Sequence, residues 1–262
     1  MTEDDGGAQR EGAAPPIAFA LDFATAEEAR GAAREVAGAV GMVKVGLELF
    51  VHEGPPVVAV GREVGLPVFL DLKLHDIPET VERAVAQVAG MGVRLVTVHA
   101  SGGREMLGRA VRRAEKENTG LAICAVTALT SLDAGDVADL GVVVSGARSP
   151  ATLWAERLAR MAYESGVRWF VCSAAEVAFV RAATGPDAVL VTPGVRPAGA
   201  GAGDQKRVAT PEQAAKDGAD WVVVGRPIRD AADRVAAARA IGEELARGRA
   251  ARLAHATRSE GR

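Results

Sequence analysis

Cysteine is scarce: only Cys124 and Cys172 occur in 262 residues, too few for a scaffold built on disulfides. Each lies inside an apolar run, LAICAV and WFVCSA, which predicts two reduced, inert thiols in the core. Long apolar runs are missing too. No stretch approaches the roughly 18 residues that a membrane span needs. The opening MTEDDGGAQREGAAPP has neither the basic region nor the apolar run of a signal peptide, so the expected compartment is the cytoplasm and no membrane partner is expected. Basic stripes with interleaved aromatics are also absent. With aromatics at 4% and a net charge of −3, a nucleic-acid surface is not expected, and a small-molecule partner fits better.

What is present suffices for a large core. The chain is 48% hydrophobic and 25% charged, and its 30 glycines and 12 prolines are spread along it, as in a protein with many short connections. Residues 1–16 read as a flexible tail. Strands are expected at 17–22, 41–46, 67–73, 93–99, 120–126, 167–172, 187–192 and 220–225, each rich in Val, Ile or aromatics. Helical periodicity follows in 25–40, 55–64, 77–91, 102–116, 150–165, 174–184, 210–217 and 228–247. This alternation predicts an α/β protein, a single (β/α)8 TIM barrel over residues 17–247, with 248–262 as a solvated C-terminal tail. The roughly 230 ordered residues suit that fold. A doubly wound open sheet is the runner-up, weakened because no G-x-G-x-x-G or P-loop follows the first strand.

The stretch FLDLKLHDIPET, 69–80, sets Asp71, Lys73 and Asp76 where a buried strand should end. Strand periodicity puts Phe69, Asp71 and Lys73 on one face and Leu70, Leu72 and Leu74 on the other. A buried carboxylate and ammonium are costly as mere stabilisers, so their placement marks a site of chemistry. Barrel enzymes build their sites at the C-terminal strand ends. There stand Asp22, Lys44, Asp71 with Lys73, and Thr97 with His99, from the first four strands. An alternating array of Lys44, Asp71, Lys73 and Asp76 can stay ionised in a water-poor pocket and meet developing negative charge. Lys73, flanked by two carboxylates, is expected to act as an acid, which disfavours a Schiff base. The four histidines, His52, His75, His99 and His255, show no zinc-ligand spacing, so no metal is expected, and His99 reads as a hydrogen-bonded wall residue.

Two later loops carry phosphate-type signals, VTPGVRPAGAGAGDQKR at 191–207 and VVVGRPI at 222–228, in the positions where barrels commonly bind phosphate. Gly225 admits an anion to the backbone, Arg226 can grip it bidentately, and the following helix start adds positive charge. The nearly side-chain-free run 198–203, bracketed by Arg196 and Gln205, reads as a lid.

In order and spacing, ALDF, KVGLELF, FLDLKLHDIP, VTVHASGG, AVTALTS, VCSA, LVTPGVRP, GDQKR, TPEQA and VVVGRPI resemble the orotidine 5′-phosphate decarboxylase family across residues 17–245. The resemblance implies a cofactor-independent decarboxylation of orotidine 5′-phosphate to UMP and carbon dioxide, the last step of UMP synthesis. It implies that Asp22 and Lys44 hold the ribose and that Asp71 and Lys73 flank the reacting carbon. Thr130 and Ser131 would contact the pyrimidine, and Arg196, Gln205, Gly225 and Arg226 the phosphate. Asp76, Ile77 and Thr80 match positions lent to the partner subunit's site, which implies a homodimer. Glu79 stands where Asn is frequent, 145–150 falls in a region of variable length, and both tails exceed the family core. Related sugar-phosphate decarboxylases and synthases share DxKxxD, but usually carry a magnesium-binding carboxylate where this chain has Lys44. A catalytically inactive nucleotide-binding barrel is the other alternative.

Overall fold

A computed structural model describes residues 14–142, 148–197 and 209–260. Eight parallel strands close into a barrel in sequence order: β1 (Ile17–Ala20), β2 (Met42–Val45), β3 (Val68–Leu74), β4 (Leu95–His99), β5 (Ala122–Val126), β6 (Trp169–Val171), β7 (Val189–Thr192) and β8 (Trp221–Val224). The expected (β/α)8 barrel is thus the observed architecture. β8 pairs back onto β1 through Ile17↔Val222 and Phe19↔Val224, which leaves no free sheet edge.

Side-chain alternation sorts the core into two layers. Ala18, Met42, Phe69, Leu95, Cys124 and Val191 point into the barrel, joined by Trp169 and Trp221. Residues of opposite parity, such as Phe19, Val43, Leu70, Val96 and Leu190, pack outward against the helices. Both cysteines are buried and free, and burial pushes both thiols up, as expected of inert core residues.

The outer ring consists of α1 (Ala26–Val36), α2 (Leu47–Glu53), α3 (Ala59–Val64), α4 (Pro78–Ala89), α5 (Gly103–Glu117), α6 (Ala134–Asp139), α7 (Pro150–Glu164), α8 (Val177–Thr184), α9 (Pro211–Asp217), α10 (Arg226–Arg229) and α11 (Arg234–Glu260). Caps fix several starts. Thr25 Oγ1 accepts from the Glu28 N–H at 3.3 Å while Glu28 Oε2 accepts from the Thr25 N–H at 3.2 Å, a reciprocal capping box that sets α1 just after β1. Ser149 caps α7, with Pro150 in its first turn.

Besides the short turn α10, which stands apart from α11 where one helix is expected at 228–247, three elements differ from the sequence reading. Helix α2 is extra. It turns on directly after Gly46, where the KVGLELF run reads as strand followed by loop. Helix α6 is extra as well, held by a second capping box in which Asp133 Oδ1 accepts from the Gly135 and Asp136 N–H groups at 2.9 and 3.1 Å. The third concerns the chain end: residues 248–260, read as tail, continue α11 to Glu260. The reason is packing by small residues and arginines rather than by an apolar stripe. A Cβ on Gly248 would lie 2.2 Å from the Glu212 carbonyl oxygen and 2.9 Å from Ala215 Cβ, so only glycine lets α11 lie this close to α9. Arg247 pairs with Glu212 at 2.9 Å, and the Arg249 and Arg252 guanidiniums reach Asp220.

Candidate active site

The C-terminal strand ends surround a cavity of about 430 Å3, a size suited to a nucleotide-scale ligand. Ala20, Phe69, Val126, Val171 and Val223 give it an apolar floor, and its rim is charged. Asp22, Lys44, Asp71 and Lys73 all line it, and they alternate in sign. Lys44 Nζ lies 3.3 Å from Asp22 Oδ1 and 3.9 Å from Asp71 Oδ2, and Lys73 Nζ donates to Asp71 Oδ1 at 2.8 Å. Burial is graded: the Lys44 side chain is 10% exposed, Asp71 17%, Lys73 33% and Asp22 45%. Each member of the row therefore has an oppositely charged side chain in contact, which offsets the cost of taking it out of water. Gly46 makes room for it, because a Cβ there would lie 2.9 Å from Lys44 Nζ.

β3 is not regular at this point. Its ladder with β4 jumps from Leu70↔Val96 to Leu74↔Val98, so Asp71, Leu72 and Lys73 face the single residue Thr97. Lys73 takes φ = +51°, left-handed backbone that a lysine adopts at a cost of about 1–3 kcal/mol. The strand reading had the correct face for Asp71 and Lys73 but no signal for this bulge.

The remaining candidates divide by position. Thr130, Arg196, Gly225 and Arg226 line the cavity, whereas Ser131 is exposed and is not among the lining residues. Gln205 and the expected lid at 198–203 lie outside the described residues. The base of that loop is joined, with the Arg196 N–H donating to the Ala209 carbonyl at 3.0 Å. Asp76, Ile77 and Thr80 are exposed and are not among the residues lining the chain's own cavity, with Asp76 Oδ1 accepting from the Ile77 N–H at 2.6 Å. Within one chain, Asp22 rather than Asp76 thus completes the alternating row.

The helix after β8 is a single turn, α10, and its dipole is correspondingly small. Positive charge at this end comes mainly from the Arg196, Arg226 and Arg229 side chains that line the cavity. Sequence reasoning passed over Arg229. Its Nη1 donates to the Asp22 carbonyl at 3.0 Å, tying α10 to the segment just after β1, and the RPIR spacing from Arg226 was the available signal. His99 is hydrogen-bonded, as expected, but is not among the residues lining the cavity: Nδ1 lies 2.7 Å from Ser101 Oγ and the ring stacks on His75 at 5.2 Å. Burial, then His75 and Lys73, hold its pKa below the ordinary value. Among the described residues, no three His, Cys, Asp or Glu side chains gather where they could hold a metal ion.

The profile of the orotidine 5′-phosphate decarboxylase / HUMPS family matches residues 15–241. The chain is 54% identical over 215 residues to the orotidine 5′-phosphate decarboxylase of Anaeromyxobacter sp. (strain K), covering 82% of this chain and 91% of that one. It is 52% identical over 221 residues to the enzyme of that name from Thermobifida fusca (strain YX), covering 83% and 90%. The crystal structure of orotidine 5′-phosphate decarboxylase from Lactobacillus acidophilus superposes with a TM-score of 0.73 at 34% identity, covering 88% of this chain and 99% of that one. Fold, charged row and sequence similarity agree, and the chain belongs to the orotidine 5′-phosphate decarboxylase / HUMPS family.

Proposed function

We propose that this chain converts orotidine 5′-phosphate to UMP and carbon dioxide, completing UMP synthesis, and that the Asp22–Lys44–Asp71–Lys73 row performs the chemistry. The observation that carries this reading is Lys73 Nζ held 2.8 Å from Asp71 Oδ1 over an apolar floor. The C6–carboxylate bond breaks, carbon dioxide leaves, and the electron pair stays on C6 as a vinyl carbanion. The Lys73 ammonium stabilises that charge and gives its proton to C6, forming UMP, after which the amine regains a proton from water. Asp71 fixes the ammonium, Asp22 and Lys44 hold the ribose, and Thr130, which lines the cavity, approaches the pyrimidine, with the resemblance assigning the neighbouring Ser131 the same role. Arg196, Gln205, Gly225 and Arg226 grip the phosphate, whose binding energy is used away from the reacting carbon.

No cofactor takes part in these steps. The magnesium-dependent alternative is disfavoured because Lys44 places an ammonium between the Asp22 and Asp71 carboxylates, where it repels a divalent cation. We read the working form as a cytoplasmic homodimer in which Asp76, Ile77 and Thr80 reach the partner subunit's site. Their exposure and their absence from the lining of their own cavity support this, as do the exposed Leu47, Val51 and Ile77 after the adjacent strands β2 and β3. Lys73→Ala tests the chemistry: turnover should fall by about 10^4-fold or more while the fold is kept, since both the acid and the cation are lost. Retained turnover would remove Lys73 from the acid role.

A further inference from the structure

Thr97 is fully buried, lies outside the cavity lining, and faces the β3 bulge alone. Three residues of β3 stand opposite one residue of β4 there, so the Lys73 N–H has lost its regular ladder position. A buried backbone donor needs another partner. The Thr97 hydroxyl supplies it, accepting from the Lys73 N–H at 2.7 Å and donating its own proton to Asp71 Oδ1 at 3.0 Å. One hydroxyl thereby fixes both ends of the ion pair, the lysine by its backbone and the aspartate by its carboxylate. It also acts at the one described β-strand residue with left-handed backbone.

We propose that Thr97 is a positioning residue for the reaction: through the bulge it sets where the Lys73 ammonium and the Asp71 carboxylate stand, without touching the substrate. This rests on the assignment of Asp71 and Lys73 as the reacting pair. A valine side chain has the same shape as threonine and neither hydrogen bond, whereas serine keeps both bonds and drops only the methyl group. A positioning role acts on the barrier more than on ground-state binding.

The test is steady-state kinetics on orotidine 5′-phosphate for the full-length Thr97→Val and Thr97→Ser enzymes, with Lys73→Ala alongside. The expected result is a kcat lowered about 10- to 100-fold in Thr97→Val with KM changed less than about threefold, and kcat in Thr97→Ser within about threefold of the parent. Should Thr97→Val fail to fold, Thr97→Ala against Thr97→Ser poses the same question, with Ala slow and Ser fast. A Val variant as fast as the parent, a loss confined to KM, or a Ser variant as slow as Val or Ala would overturn the proposal. If Lys73→Ala is dead while Thr97→Val is normal, only the positioning role fails; if Lys73→Ala keeps its turnover, the assignment of the pair fails instead.

Discussion

Lys73 combines a left-handed backbone with an ammonium bonded to Asp71, and the strain and the charge pair sit at one position. Such strain persists only where neighbours over-determine the geometry, and here they are Thr97 and Asp71. A few residues away, His99 gives a prediction that depends on pH. Its folded-state pKa lies below the ordinary 6.5, chiefly through burial, so below pH of about 6.5 the unfolded chain takes up a proton that the native chain resists. Stability against denaturant should therefore fall as pH drops through that window, and His99→Asn should fall less steeply. Equal slopes would contradict the burial argument. Asp22, Lys44, Asp71 and Lys73 were legible in the sequence because strand parity and the strand-end rule need only residue type and spacing. The work of Thr97 was not, because nothing in FLDLKL announces a bulge, and without the bulge the hydroxyl has no orphan donor to meet.

Strands read well from sequence because buried parallel strands are runs of Val, Ile, Leu and Phe bounded by turns, and all eight were placed with errors confined to their ends. Short helices read poorly. α6 rests on the Asp133 and Asp136 capping box rather than on periodicity, and α2 begins immediately where β2 and Gly46 finish. α11 was cut short at Arg247 because its last part packs through Gly248 and through arginines, which leave no apolar period to detect. Gly248→Val should consequently lower stability by about 1–3 kcal/mol through overpacking, as read by thermal unfolding. Gly31→Ala in α1, with nothing within 4 Å of the added Cβ, should be neutral or slightly stabilising. Equal behaviour of the two variants would mean that α11 does not dock on α9 at Gly248.

At the scale of the whole molecule, the cavity of one chain is lined by Asp22, Lys44, Asp71 and Lys73, while Asp76 and Thr80 are exposed and do not line it. On the proposed homodimer, Lys73→Ala and Asp76→Ala each damage a site, but a hybrid of the two restores one intact site. Mixing the two inactive proteins under subunit exchange should recover about a quarter of parental activity, and no recovery would argue against a site shared between subunits. The resemblance carried this expectation, since no single-chain periodicity reveals a partner. The measurement that bears most directly on the activity is loss of orotate absorbance when purified protein meets orotidine 5′-phosphate in EDTA. Rapid conversion to UMP, unchanged by the chelator, is the predicted result. No conversion, with magnesium-dependent activity on a keto-sugar phosphate instead, would contradict it, leaving the phosphate end of the cavity correctly read and the chemistry wrong.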